Sequence, residues 1–376
     1  MRNASAPAAT YQHLQAAIDA ASPGDVLAIR GRCRGGFLVD KSLTLRGVGR
    51  ERPTLAGAHR QRVLTITGSA SANLEVSLDR LRVVRGYAEG NGGGLWSRFA
   101  DVRLVRTLVR RNEARQGGGV YVRGGLELID STLQQNQAAA GGGAYAWHGM
   151  ALRGRSRVTG NEAGWAGGIS SSGPVDLSGR STIADNLAGG AGGISLNGRA
   201  RLELSGSASV RGNIATGNWA GVFSSSARAR AVVIRQHASV VGNVTAGEGG
   251  GLVTFGGVTL RGHARVTHNQ AGTTGGGVFA YGPVMLRGSA LVAHNLAVRG
   301  AGLVTMDSRL VLKGQALVTT NAAAEHGGGA LVRYQNRPRV RVRGAAAIQG
   351  NSPDDLVTRQ GGFLEPPQAR VGVGAG

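Results

Sequence analysis

From residue 109 onward the chain repeatedly sets an aliphatic side chain three positions before an asparagine. The asparagines are Asn112, Asn136, Asn161, Asn186, Asn213, Asn243, Asn269, Asn295, Asn321 and Asn351, at intervals of 24, 25, 25, 27, 30, 26, 26, 26 and 30 residues. Their aliphatic partners run without a gap from Val109 and Leu133 to Val318 and Ile348. Most of these asparagines are followed two residues on by alanine, as at Ala114 and Ala138, and then by a glycine cluster such as Gly117-Gly118-Gly119 or Gly275-Gly276-Gly277. The rest of each unit reads Leu-x-Gly-x-(Ala/Ser)-x-(Val/Ile)-x-x-Asn, clearest at Leu260-Arg261-Gly262, Leu286-Arg287-Gly288 and Leu312-Lys313-Gly314.

Apolar positions alternating with period two mark strands, not helices. Strands this short cannot bury a face alone, so each coil must stack on the next at about 4.8 Å per coil. The expected fold is all-β: a right-handed parallel β-helix, a single-stranded solenoid with coils of roughly 26 residues. Glycine suits the tight bends. The periodic asparagine is expected to occupy a left-handed bend and to ladder its amide onto those above and below, a structural role.

Residues 91–356 hold the regular repeats. Upstream, residues 10–90 form an N-terminal cap and irregular first coils: Leu14, Ala17, Ile18 and Ala21 have helical spacing, Ser22-Pro23-Gly24-Asp25 stops it, and strand-like runs follow at Val26–Ile29, Phe37–Val39, Leu43–Leu45, Val63–Ile66 and Leu81–Val84. Residues 1–9 and 357–376 read as flexible ends.

Two resemblances rest on these residues. Leu14 to Asp25 with Lys41-Ser42-Leu43-Thr44-Leu45-Arg46-Gly47 resembles the N-terminal cap and first coils of pectin-lyase-like β-helix proteins. Residues 91–356 resemble the polymorphic outer-membrane protein repeat, with an aliphatic residue where that pattern has an aromatic one before x-x-Asn. The resemblance implies a secreted or cell-surface location. It fits adhesins and surface proteins as well as polysaccharide-cleaving relatives.

Composition narrows this picture. Apolar residues make up 41% and aromatic ones only 4%, which suits a thin aliphatic core, and 65 glycines spread along the chain suit one continuous architecture. Cys33 is the single cysteine and allows no intramolecular disulfide. No apolar run is long enough to cross a bilayer, and the opening Met1-Arg2-Asn3-Ala4-Ser5-Ala6-Pro7 lacks the apolar segment of a signal peptide. The formal charge is +22, and arginine supplies all but two of the 43 basic residues, which favours polyanionic partners or reflects coding bias.

Catalytic chemistry is hard to find. Asp79, Asp101, Asp130, Asp176, Asp185 and Asp307 are expected at different phases of the coil. Glu113 and Glu162 share one, but two coils apart, roughly 10 Å, they are too distant to hold a calcium ion together or to act as a retaining glycosidase pair. His237 with His263, and His268 with His294, fall in phase on adjacent coils; no carboxylate or thiolate joins them, so no metal and no cofactor is expected.

Two columns are better candidates. The first residue after each glycine cluster should point inward and the next outward, giving Trp96, Tyr121, Tyr145, Ser170, Ser195, Phe223, Val253, Phe279, Val304 and Leu331, with Trp147, Phe255 and Tyr281 beside them. Such an aromatic column would stack sugar rings or meet a partner protein. The second column follows the Leu of Leu-x-Gly: Arg235, Arg261, Arg287, Lys313 and Arg343, with Arg153 earlier. Stacked like charges suit an acidic polysaccharide, and nucleic acid could bind there nonspecifically through phosphates. The expectation is a non-enzymatic, elongated binding or surface scaffold for carbohydrate, neutral or acidic, or for a surface protein. A polysaccharide lyase or hydrolase and a structural assembly protein are the alternatives.

Overall fold

The computed structural model describes residues 1–5, 10–68, 74–306, 308–335 and 339–360. Each regular coil passes through four short strands, and each strand pairs in parallel with its counterparts one coil before and one coil after. Sheet one holds 14 strands, from Arg2–Asn3 and Val26–Ile29 to Arg339–Gly344. Sheet two holds 13, from Arg32–Arg34 to Ala347–Gln349; sheet three holds 10, from Tyr87–Asn91 to Ala322–His326; sheet four holds 13, from Phe37–Val39 to Leu356–Gln360. The molecule is a right-handed parallel β-helix of about 12 turns.

Inward residues of sheets one, two and four form one continuous core, to which sheet three contributes nothing. Leu45, Leu78, Leu104, Leu128 and Leu152 stack on successive coils of sheet one, all fully buried. Burying each such leucine is worth about 1.5–3 kcal/mol. Sheet three is therefore an outward flange between sheets two and four. The first coils lack it, which accounts for their irregular reading.

The asparagine ladder is unbroken from Asn112 to Asn351. Asn136 donates through Nδ2 to the Val109 carbonyl (3.1 Å) and to Asn161 Oδ1 (2.9 Å). Its own Oδ1 accepts the backbone N–H of Asn112 (3.1 Å) and Asn112 Nδ2 (3.0 Å). The aliphatic-x-x-Asn spacing thus records a bond from each amide to the carbonyl of the aliphatic residue one coil earlier. Asp355 Oδ1 ends the ladder, accepting the backbone N–H and Nδ2 of Asn351 at 2.9 and 3.0 Å. The third glycine of each cluster lies against this line: a Cβ on Gly277 would stand 2.6 Å from the Gly302 carbonyl and 2.9 Å from Asn295 Nδ2.

One expectation is corrected. The left-handed residue is the one before each asparagine: Arg111, Gln135, Asp185, His268, His294 and Thr320 take φ between 50° and 56° or 57°, and glycine fills the position at 160, 212, 242 and 350. The asparagine needs its amide in the interior, and the bend that turns it inward falls on its predecessor.

The helix is shorter than its sequence pattern suggests. Leu14–Asp19 packs Leu14, Ala17 and Ile18 into the first coils, and Asp25 Oδ2 accepts the Ser22 N–H (2.9 Å) in the turn that ends the segment. Arg2–Asn3 pairs antiparallel with Val26–Ile29. At the far end, Val357 to Gln360 belong to the strand Leu356–Gln360, paired with Ala330–Tyr334; residues 361–376 lie outside the described ones.

Candidate functional site

The basic column exists as a line on the molecule. Arg235, Arg261, Arg287, Lys313 and Arg343 are direct register partners on five successive strands of sheet one. Arg153 follows Leu152, which the register carries through Leu177 and Leu204 to Ile234, so it lies on the same column with Ser178 and Ser205 between. Arg235 is ion-paired with Glu203. Arg261, Arg287, Lys313 and Arg343 are exposed and make no ion pair among the described residues. Arg341 and the stacked pair Arg309 and Arg339 widen the positive surface at its C-terminal end. Unit charges at strand spacing repel by roughly 0.8 kcal/mol per neighbouring pair in water.

The N-terminal half of the same face is different. Here an open groove of about 990 Å³ is lined by Arg46, Asp79, Asp101, Arg103, Glu127, Arg153 and Asp176, among others. Its charges are mostly matched. Glu127 lies between Arg103 (3.2 Å) and Arg153 (2.7 Å), Asp79 between Arg46 (3.3 Å) and Arg106 (2.7 Å), and Asp101 Oδ1 accepts the Gly125 N–H (2.6 Å).

The acids are also more ordered than the sequence reading allows. Glu127, Asp176 and Glu203 share one column, with Ala151 between the first two. The signal was legible as apolar-acid-Leu at Leu126-Glu127-Leu128, Val175-Asp176-Leu177 and Leu202-Glu203-Leu204. Glu113 and Glu162 do share a phase, through Gln137. Asp307 lies outside the described residues. Among the described residues no group of three or more His, Cys, Asp or Glu is placed to hold a metal ion.

The aromatic column is in register along sheet four from Trp96 to Leu331. It points away from the main core, yet most of it is covered. The glycine turn folds back over the outward residue four positions later: a Cβ on Gly275 (φ +77°) would meet Phe279 Cβ at 2.7 Å. Tyr121 and Phe279 are consequently buried, Phe223 is buried beneath Trp219 instead, and none of the three is a free stacking surface. Phe223, Phe279, Val253 and Leu331 form a second, outer core with Trp219, and Trp165 and Tyr281 pack against it. Trp219 stacks on Phe223 at 4.0 Å, and Phe255 meets both Phe223 and Tyr281 edge-on. Trp165 and Trp219 escaped the sequence reading because they sit in the flange and its turn, outside the column.

The N-terminal part is the most open, while Phe255 and Tyr281 farther along are half-buried. Tyr145 stacks on Tyr121 at 5.4 Å, and Trp147, 43% exposed, donates its Nε1–H to the Tyr121 hydroxyl (2.7 Å) beneath the Arg123 guanidinium. Trp96 is half-buried below Arg62. Burial raises the Tyr145 hydroxyl above its ordinary proton affinity, so it stays a neutral hydrogen-bonding group.

The histidine pairs stack face to face, His237 on His263 at 5.0 Å and His268 on His294 at 4.8 Å. Lone pairs lie in the ring planes, and two nitrogens each about 2.1 Å from zinc stand no more than about 4.2 Å apart. These rings do not converge on an ion. Cys33 is buried, and burial pushes its thiol up.

No family model, no curated protein and no solved structure matches this chain.

Proposed function

We propose that this chain is a non-catalytic, elongated binding scaffold whose main ligand is a linear polyanion, an acidic polysaccharide, laid along the C-terminal half of sheet one. The observation that carries this reading is the exposed, in-register run of Arg261, Arg287, Lys313 and Arg343 without ion-pair partners among the described residues. A polymer with a charge every 5 Å or so would match the coil rise and replace mutual repulsion with paired charges. The open patch of Tyr145 and Trp147 offers a separate surface for neutral sugar rings. The resemblance to pectin-lyase-like proteins and to outer-membrane protein repeats agrees with a carbohydrate-facing role at a cell surface, adhesin-like in kind.

The test is calorimetric titration with a polyuronate and a sulfated polymer across a salt series. Binding weakens with salt and is strongly reduced on replacing Arg261, Arg287 and Lys313 together with glutamine. Salt-independent binding, or full binding by the triple variant, overturns the proposal. New ultraviolet absorbance or reducing ends in the same mixtures would instead mark a lyase or hydrolase.

A further inference from the structure

At the C-terminal end of the outer aromatic core two stacked sets of residues meet. On sheet three, Thr274, Arg299 and His326 follow one another on three coils. Thr274 Oγ1, Arg299 Nε and His326 Nε2 are each buried, and none has a hydrogen-bond partner in the protein. On sheet four, Arg333 is the register partner of Arg359, so two guanidiniums leave one face about 4.8 Å apart.

These groups feel one another. Burial, then Arg299 and Arg359, hold the Arg333 guanidinium below its ordinary proton affinity. Burial and the charges of Arg359, Arg299 and Arg333 hold the His326 imidazole below its own, against an opposing pull from Glu325. Glu325 is the nearest carboxylate, 4.0 Å from Arg299 Nε and 3.8 Å from His326 Nδ1, and its side chain is 56% exposed. Two carboxylates, Glu325 and the half-buried Glu248 on which Arg299 also acts, do not balance three arginines. Nor do they answer the unpartnered buried atoms.

We propose that Arg299, His326, Arg333 and Arg359 form a binding site for a tetrahedral oxyanion, phosphate or sulfate, either free or pendant on a polymer. Guanidinium forks match the oxygens of such an anion two at a time, and a doubly charged anion offsets the crowding of like charges that this cluster carries. The site lies on sheets three and four, apart from the column on sheet one, and does not rest on the function proposed above.

The test is titration of the full chain with inorganic phosphate at constant ionic strength set by chloride, read by calorimetry and by the proton resonances of the eight histidines. One saturable site is expected, with the His326 resonance moving most and its titration midpoint rising as phosphate binds. Arg299→Gln with Arg333→Gln weakens binding by about tenfold or more, whereas Arg261→Gln with Arg287→Gln leaves it unchanged. No saturable binding, an unmoved His326 resonance, or equal loss in both double variants overturns the site. The histidine readout needs only the unaltered protein, so a folding defect in the variants does not spare the proposal. Dextran sulfate separates the sources: competition with phosphate marks a pendant group, and independent binding marks a free anion. Phosphate binding without any polymer binding defeats the polyanion scaffold and leaves this site standing.

Discussion

Sheet one carries two surfaces on one backbone. In both halves the inner column, from Leu45 to Leu312, is leucine or isoleucine, fully buried, and the ladder behind it is the same. In the N-terminal half the outer columns mix signs, and Glu127 and Asp79 each hold two arginines. Beyond Glu203 the acids stop, and the basic residues continue alone to Arg343. The bend after sheet one changes too: Thr107, Ser131, Ser156 and Ser181 give way to Ala208, Ala238, Ala264, Ala290 and Ala316, all buried. Among these, the Ser131 Oγ accepts the Thr107 N–H at 3.0 Å. The lesson is that on sheet one folding constrains mainly the inward positions, because alternation sends every second side chain out of the core. An outer column of one sign is therefore not demanded by the fold, and its content bears on what the face meets.

That contrast can be broken or sharpened by experiment. The largest effect should come from the part both halves share. Asn269→Ala removes the acceptor of Asn243 Nδ2 and of the Asn243 N–H and takes one donor from the Val240 carbonyl, a loss of roughly 3–5 kcal/mol, and Asn136→Ala should cost about as much. Urea denaturation midpoints measure both. A large difference between them would make the ladder unequal along its length.

Next is the ligand face. Arg103→Gln with Arg153→Gln should leave polyanion binding within about twofold, since both arginines already serve Glu127. Replacing Arg261, Arg287 and Lys313 should instead lower the slope of log Kd against log salt by about two. Equal effects would erase the distinction between the halves.

A smaller effect concerns Glu248, half-buried in the C-terminal flange. Burial raises its carboxyl above the ordinary glutamate value, against a lowering pull from Arg299. A carboxyl raised in the folded state contributes stability fully present below its unfolded pKa and lost as pH rises through the folded one. Glu248→Gln should accordingly stabilise the protein at pH 7 and have no such effect below about pH 4, as thermal melts across pH would show.

Smallest is Thr320→Gly. A β-branched residue at φ +50° before Asn321 is strained, and relief is worth about 1 kcal/mol. The denaturation midpoint should rise.

Much of this was legible before the fold was. The aliphatic-x-x-Asn period set the coil, and the Leu-x-Gly phase placed Arg261, Arg287 and Lys313 on one line. What the period does not encode is what lies over a strand. Phe223 and Phe279 are outward by alternation, but the turn that opens each strand also covers it, with Gly275 against Phe279 and Trp219 stacked on Phe223. The column of Glu127, Asp176 and Glu203 was missed for a simpler reason: the acids differ in residue type and Ala151 interrupts them, so the shared apolar-acid-Leu frame is their single common mark. The left-handed bend was assigned one residue late, because asparagine tolerates that conformation well and here is needed for its amide.

Hydrogen–deuterium exchange with and without saturating polyuronate tests the central claim most directly. The account expects slowed exchange in Val258–Gly262, Val284–Gly288 and Arg309–Gly314, with Asp101–Val105 and Leu126–Ile129 unchanged. Protection confined to the groove strands, or to sheet four around Tyr145, would contradict it.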